Sequence, residues 1–189
     1  MGILTSIRKY AVTACLALLL AAPVARAQAG QSPRAQELLR ELADPASEDW
    51  QRIESDLQRE WSRSGSAAMD LLLQRGRAAL EDGDPLAALE HLTALTDHAP
   101  DFAEGWNLRA TAFFVAGQFG PALEDIRRTL ALNPQHYGAL AGLGAILEQL
   151  EREEEAMAAY RAALAVNPHR PDLVEALTRL EQATGGTEL

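Results

Sequence analysis

The chain has 189 residues, 48% hydrophobic and 23% charged, which is enough for one globular domain with an appendage and too little for two separate large cores. Its formal charge is −10; Arg8, Lys9 and Arg26 lie in a first 27 residues without Asp or Glu, so the remainder holds 14 cations against 27 acids, or −13. That excess repels nucleic acid and anionic lipid, and the single cysteine, Cys15, leaves the rest of the chain without disulfides, thiolate metal sites or cysteine nucleophiles.

In chain order, Arg8 and Lys9 precede the apolar run AVTACLALLLAAPV at 11–24, and Ala25-Arg26-Ala27 follows as a small-x-small site. A run of about 14 residues is short of the roughly 20 that cross a bilayer as a helix, so the segment reads as a cleavable signal peptide, 1–27, rather than an anchor. The expected mature start is Gln28 and the expected location is the periplasm. Val12-Thr13-Ala14-Cys15 has the look of a lipidation site, but only four apolar residues precede Cys15 and a long apolar remnant would follow it. Cleavage after Ala27 is the better reading.

Residues 28–66 read as a linker and two helices. The first is PRAQELLREL; the second lies in SEDWQRIESDLQREWSRSG, started by Ser47 with Glu48 and Asp49 in its first turn. Trp50, Ile53, Leu57 and Trp61 fall on one face of it, a core stripe expected to pack on the first repeat.

From 67 to 168 the chain repeats. Pro100, Pro134 and Pro168 are spaced by 34, a coincidence of about 1 in 400 for a residue of ordinary abundance. The columns Gly76/Ala110/Gly144, Ala88/Ala122/Ala156 and Leu72/Trp106/Leu140 keep the same register. Each unit contains two short helical patterns. DLLLQRGRAALEDG, GWNLRATAFFVAG and GALAGLGAILEQL come first, and PLAALEHLTALTDH, PALEDIRRTLAL and EEAMAAYRAALAV second. The Gly/Ala columns are small where antiparallel helices must approach closely. Asn133-Pro134 and Asn167-Pro168 end second helices, because proline bars α geometry in the residue before it. Unit three has Glu151 where the others have Gly83 and Gly117, which predicts a different turn or a longer first helix. Unit one has Leu95 where the others have Thr129 and Ala163, which predicts altered packing against the N-terminal region. PDLVEALTRLEQA keeps the first-helix register and reads as a capping helix over 169–183, and 184–189 as a disordered tail.

These units resemble tetratricopeptide repeats, which combine a 34-residue period, small residues at the helix contacts and a closing proline. The resemblance implies an all-α solenoid of helix-turn-helix repeats. In it, Gly76, Ala88, Pro100, Trp106, Ala110, Ala122, Pro134, Gly144, Ala156 and Pro168 would serve repeat packing. It also implies a concave groove of first helices that takes an extended peptide or a helix. Carried over, Leu73, Arg77, Asn107, Thr111, Phe114, Ala141 and Ala145 would line it, with Asp172, Glu175 and Arg179 from the cap. Some relatives hold a partner's terminal carboxylate with lysines, arginine and asparagines; here Arg77 and Asn107 are present but no lysine is, so such a clamp is not expected. A floor bared by Ala141 and Ala145 beside Phe114 suits a bulky apolar anchor or a closely approaching helix.

Residues for chemistry are sparse. His91 and His98 have no third ligand, and His98, His136 and His169 near inter-repeat turns read as exposed histidines. Glu151, Glu153, Glu154 and Glu155 surround Arg152 and lack the glycine-bearing oxygen loop of a calcium site. No phosphate loop, nucleophile elbow or zinc-binding helix pattern occurs. The expectation is therefore a protein without catalytic residues, metal or cofactor, serving as an adaptor for another cell-envelope protein. The alternative is a self-assembling homo-oligomer whose groove holds its own chain or another copy.

Overall fold

A computed structural model of the chain describes residues 31–185; the segment 1–27 with Cys15, and 186–189 of the tail, lie outside the described residues. Nine helices and no strand are found among the described residues. They are α1 (Pro33–Leu42), α2 (Trp50–Trp61), α3 (Ala67–Glu81), α4 (Pro85–His98), α5 (Ala103–Val115), α6 (Phe119–Leu132), α7 (Tyr137–Gln149), α8 (Glu153–Val166) and α9 (Pro171–Gly185).

Local chemistry sets the boundaries. Ser32 caps α1 by accepting from Ala35 N at 3.1 Å, with Pro33 in the first turn, where a missing N–H leaves nothing unpaired. Asp84 caps α4 in the same way, accepting from Ala87 N at 3.0 Å ahead of Pro85. At the other ends, Ala99, Asn133 and Asn167 leave helical geometry, with ψ of 65°, 89° and 93° before their prolines. The second N-terminal helix begins at Trp50 and not at Ser47. Asp44 folds 44–47 into a turn instead, its carboxylate accepting from Ala46 N and its carbonyl from Ser47 N.

The third inter-helix turn has the geometry of the other two, correcting the expectation drawn from Glu151. Glu151 adopts φ 57°, beside 75° for Gly83 and 72° for Gly117. In all three turns the next N–H closes a six-to-one bond: Asp84 to Ala79 O at 2.8 Å, Gln118 to Phe113 O at 2.8 Å and Arg152 to Leu147 O at 2.9 Å. α9 reaches Gly185, two residues past the boundary drawn at 183.

Helices pack in sequence-adjacent pairs, α3 with α4, α5 with α6 and α7 with α8, and each pair contacts the next. The first helices α3, α5 and α7 also touch in succession, making one continuous face. The seams are tight at the small columns. A Cβ on Gly76 would stand 2.5 Å from Leu92 Cγ, and one on Gly144 2.4 Å from the Tyr160 ring. Ala88, Ala110, Ala122 and Ala156 are buried. Leu95 is buried against the next repeat, where a Cβ on Gly105 would meet it at 3.1 Å, and not against the N-terminal region.

The α1–α2 hairpin supplies the main surprise of the fold. Its core of Leu38, Leu42, Ile53 and Leu57 closes on Tyr137 and Val166, the two ends of repeat three. The stripe of α2 therefore packs on the third repeat rather than the first. Two tryptophans three turns apart meet two histidines from successive inter-repeat turns: Trp61 stacks on His136 with centroids 4.6 Å apart, and Trp50 on His169 at 5.3 Å. Both asparagines of the Asn-Pro turns join in, since Gln31 donates to Asn133 and Asn167 donates to Glu54 at 2.9 Å.

Candidate functional site

The candidate site is the face of first helices, bounded on one side by the docked hairpin. Thr111 is exposed on it, and its hydroxyl donates back to Asn107 O at 3.1 Å. Ala141 and Ala145 are half-buried, Ala141 against the core of its own repeat. Phe114 is half-buried too and tilts against Phe119 at 5.8 Å. Leu73 must be removed from the lining: at 2% exposure it belongs to the core of repeat one, with Leu92 and Leu95. In the cap, Asp172, Glu175 and Arg179 are exposed; Arg170 donates to Asp172 at 2.6 Å and Arg179 to Glu148 at 2.7 Å.

Arg77 and Asn107 come together on a residue that repeat spacing does not single out, Glu104. Its Oε1 accepts from Arg77 Nη2 at 3.1 Å and its Oε2 from Asn107 Nδ2 at 3.2 Å. His136 Nε2 lies 2.9 Å from the same Oε2, while its Nδ1 accepts from Ala139 N and caps α7. The cap fixes the neutral tautomer with the proton on Nε2, which donates to the carboxylate. The side chains of His136 and Glu104 are 4% and 12% exposed, so the reading of His136 as an exposed turn histidine is corrected. His169 is half-buried and reaches Asp44 O at 2.9 Å, whereas His98 is exposed.

Glu104 stands 34 residues from Asp70 and from Gly138, and that column holds three different residue types. An acid facing Arg77 one repeat earlier was the available signal. Nearby, the Tyr137 hydroxyl accepts from Gln58 Nε2 at 3.2 Å, and burial pushes its pKa above the ordinary phenol range.

A cavity of about 710 Å³ between the hairpin and the inter-repeat edge also reaches this cluster, lined by Glu104, His136 and Trp61 together with Gln31, Glu60 and Asn133. Glu60 there accepts from Ser32 at 2.6 Å and from Arg63 at 3.3 Å. No group of three His, Cys, Asp or Glu among the described residues could hold a metal ion. No described helix is long and apolar enough to cross a membrane.

The helix pairs, their 34-residue register and the continuous first-helix face define a class of repeat scaffold. A tetratricopeptide repeat model matches residues 73–120 and 108–171, just over half of the sequence, and the chain belongs to the tetratricopeptide repeat family. A TPR repeat-containing protein of Rhizobium etli is 34% identical over 134 residues, covering 71% of this chain and 66% of its own length. A protein SGT1 homolog of Bos taurus is 29% identical over 122 residues, covering 65% of this chain but only 36% of its own.

Among solved structures, the first TPR of Spaghetti (RPAP3) bound to the HSP90 peptide SRMEEVD superposes with a TM-score of 0.61. It shares 26% identity and covers 64% of this chain and 98% of its own. MamA, with a TM-score of 0.59 at 19% identity over 75% of this chain and 85% of its own, shares the fold.

Proposed function

We propose that this protein is a non-catalytic adaptor that holds a peptide or helix of a protein partner along the face of α3, α5, α7 and α9. The observation that carries the reading is the continuous face of first helices, on which Thr111 is exposed and Ala141, Ala145 and Phe114 are half-buried. A segment lying there can approach the backbone closely and seat one bulky apolar side chain. The RPAP3 repeat domain, which has a peptide bound, supports a protein ligand for a related face. The hairpin borders this face without covering Thr111.

A photo-reactive residue in place of Thr111 should give a discrete cross-linked partner in whole cells, and Phe114→Ala with Ala145→Arg should abolish that adduct. A photo-reactive residue at exposed Arg127 is the control. Equal adducts from both positions, or adducts indifferent to the substitutions, would overturn the groove reading. If the adduct is a second copy of this chain, the self-assembling alternative takes its place.

The basic, apolar and small residues of 1–27 support export to the periplasm, with the partner in the cell envelope. N-terminal sequencing of the protein from a periplasmic fraction should begin at Gln28; an intact 1–27 on the cellular protein would remove this part of the proposal.

A further inference from the structure

Glu104 sits in what is, chemically, a carboxylate receptor. Arg77 reaches it from α3, Asn107 from its own helix α5 and His136 from the α6–α7 turn, all within 3.2 Å. A carboxylate that collects a guanidinium, an amide and an imidazole N–H from three separate elements is held by a preformed set of donors, and charge-assisted bonds of this kind are among the strong ones. The Trp61 ring, stacked on His136, walls one side. A cavity of about 260 Å³ adjoins the cluster, lined by Gln58, Leu108, Gly138 and Arg170 as well as the cluster itself. Taking away the Glu104 side chain would leave the three donors facing a space large enough for a small carboxylate, with the neutral Ser62 hydroxyl, 3.4 Å from Arg77 Nη2, as a longer contact.

We infer that Glu104 is a resident ligand, a carboxylate of the chain's own that fills the carboxylate site at the hairpin end of the groove. This rests on the groove being the partner surface and deepens that reading. Arg77 Nη2 and Asn107 Nδ2 are engaged by Glu104, although the Arg77 side chain is 43% exposed, so at this point the groove's paired donors do not hold a partner by a terminal or side-chain carboxylate. The partner segment presents an uncharged or apolar group here. The net acidity of the chain acts in the same direction, since an incoming carboxylate meets a surface of its own sign.

The full chain with Glu104→Ala, titrated with sodium acetate against sodium chloride at equal ionic strength, tests this directly. Acetate should raise the variant's melting temperature with the logarithm of its concentration once above its dissociation constant, by about 3 °C at tenfold above it. The wild type should answer both salts alike, and so should the double variant Glu104→Ala with Arg77→Ala. Glu104→Gln keeps the site filled with a side chain of the same size, and it should show no acetate response.

Equal effects of acetate and chloride on Glu104→Ala would overturn the inference, as would a wild-type response matching the variant's. If Glu104→Ala has lost its helical circular dichroism, recovery of that signal in acetate supports the site and no recovery overturns it. The titration involves no partner protein, so its failure leaves the Thr111 cross-linking result standing, and the reverse also holds.

Discussion

Glycine at one position of a repeat can be a requirement or an accident, and the space around it decides which. A Cβ on Gly144 would press into the buried Tyr160 ring at 2.4 Å, whereas one on Gly120, at the start of α6, would meet nothing within 4 Å. Gly144→Ala should therefore cost about 1–3 kcal/mol as overpacking, while Gly120→Ala should gain about 0.4–1 kcal/mol by restricting the unfolded chain. Urea unfolding with an unchanged slope would show the two midpoints moving in opposite directions; a Gly144→Ala protein as stable as the parent would remove the packing argument.

A second residue-scale feature is the pair of Arg109 and Asp125. Two bonds of 2.7 and 2.8 Å join them and a third runs from Arg109 to Thr96 at 2.7 Å, with Asp125 5% exposed. Removing one partner leaves a buried charge uncompensated, so Asp125→Ala should lose about 3–5 kcal/mol by the same urea measurement.

At the scale of the element, the turn between helices is the unit that the repeat preserves. Three turns share one hydrogen-bond pattern, and two fill the left-handed position with glycine, which has no Cβ to strain. Glu151 takes that conformation at a steric cost, held there because both flanking helices are fixed by their packing and by the Arg152 bond to Leu147 O. Glu151→Gly should stabilise the protein by about 1 kcal/mol, the lower end of the left-handed penalty. A thermal midpoint unchanged or lowered by the substitution would mean that the turn, and not the residue, sets the strain.

For the whole molecule, the hairpin is the element whose place matters most, because it shares a core with repeat three and seals one flank of the Glu104 cluster. It carries Trp50 and Trp61, leaving Trp106 as the third tryptophan of the chain. In a Trp106→Phe background, tryptophan fluorescence should report hairpin docking alone, and its urea transition should coincide with that of helical circular dichroism. Fluorescence changing at lower urea would show that the hairpin leaves first, as a separate unit.

What the amino-acid order determined by itself was local and periodic: the paired helices, their 34-residue register, the small columns at Gly76, Ala110 and Gly144, and the breaks before Pro100, Pro134 and Pro168. Each of these rests on hydrophobic spacing, side-chain volume or proline geometry, which act within a few residues. Tertiary structure alone decided where the stripe of α2 docks, since an apolar face announces burial without naming its cover.

The same holds for the burial of Leu73 and of His136. It also holds for Glu104, whose partners Arg77 and His136 lie 27 and 32 residues away. Asn133 and Asn167 stand between these cases. Their place before proline was legible as a helix stop, but their burial against the hairpin depends on a chain reversal that no local rule encodes. Thr111 and Phe114 could be placed on a first helix from repeat register alone, while the Glu104 cluster required side chains from three elements to meet in space.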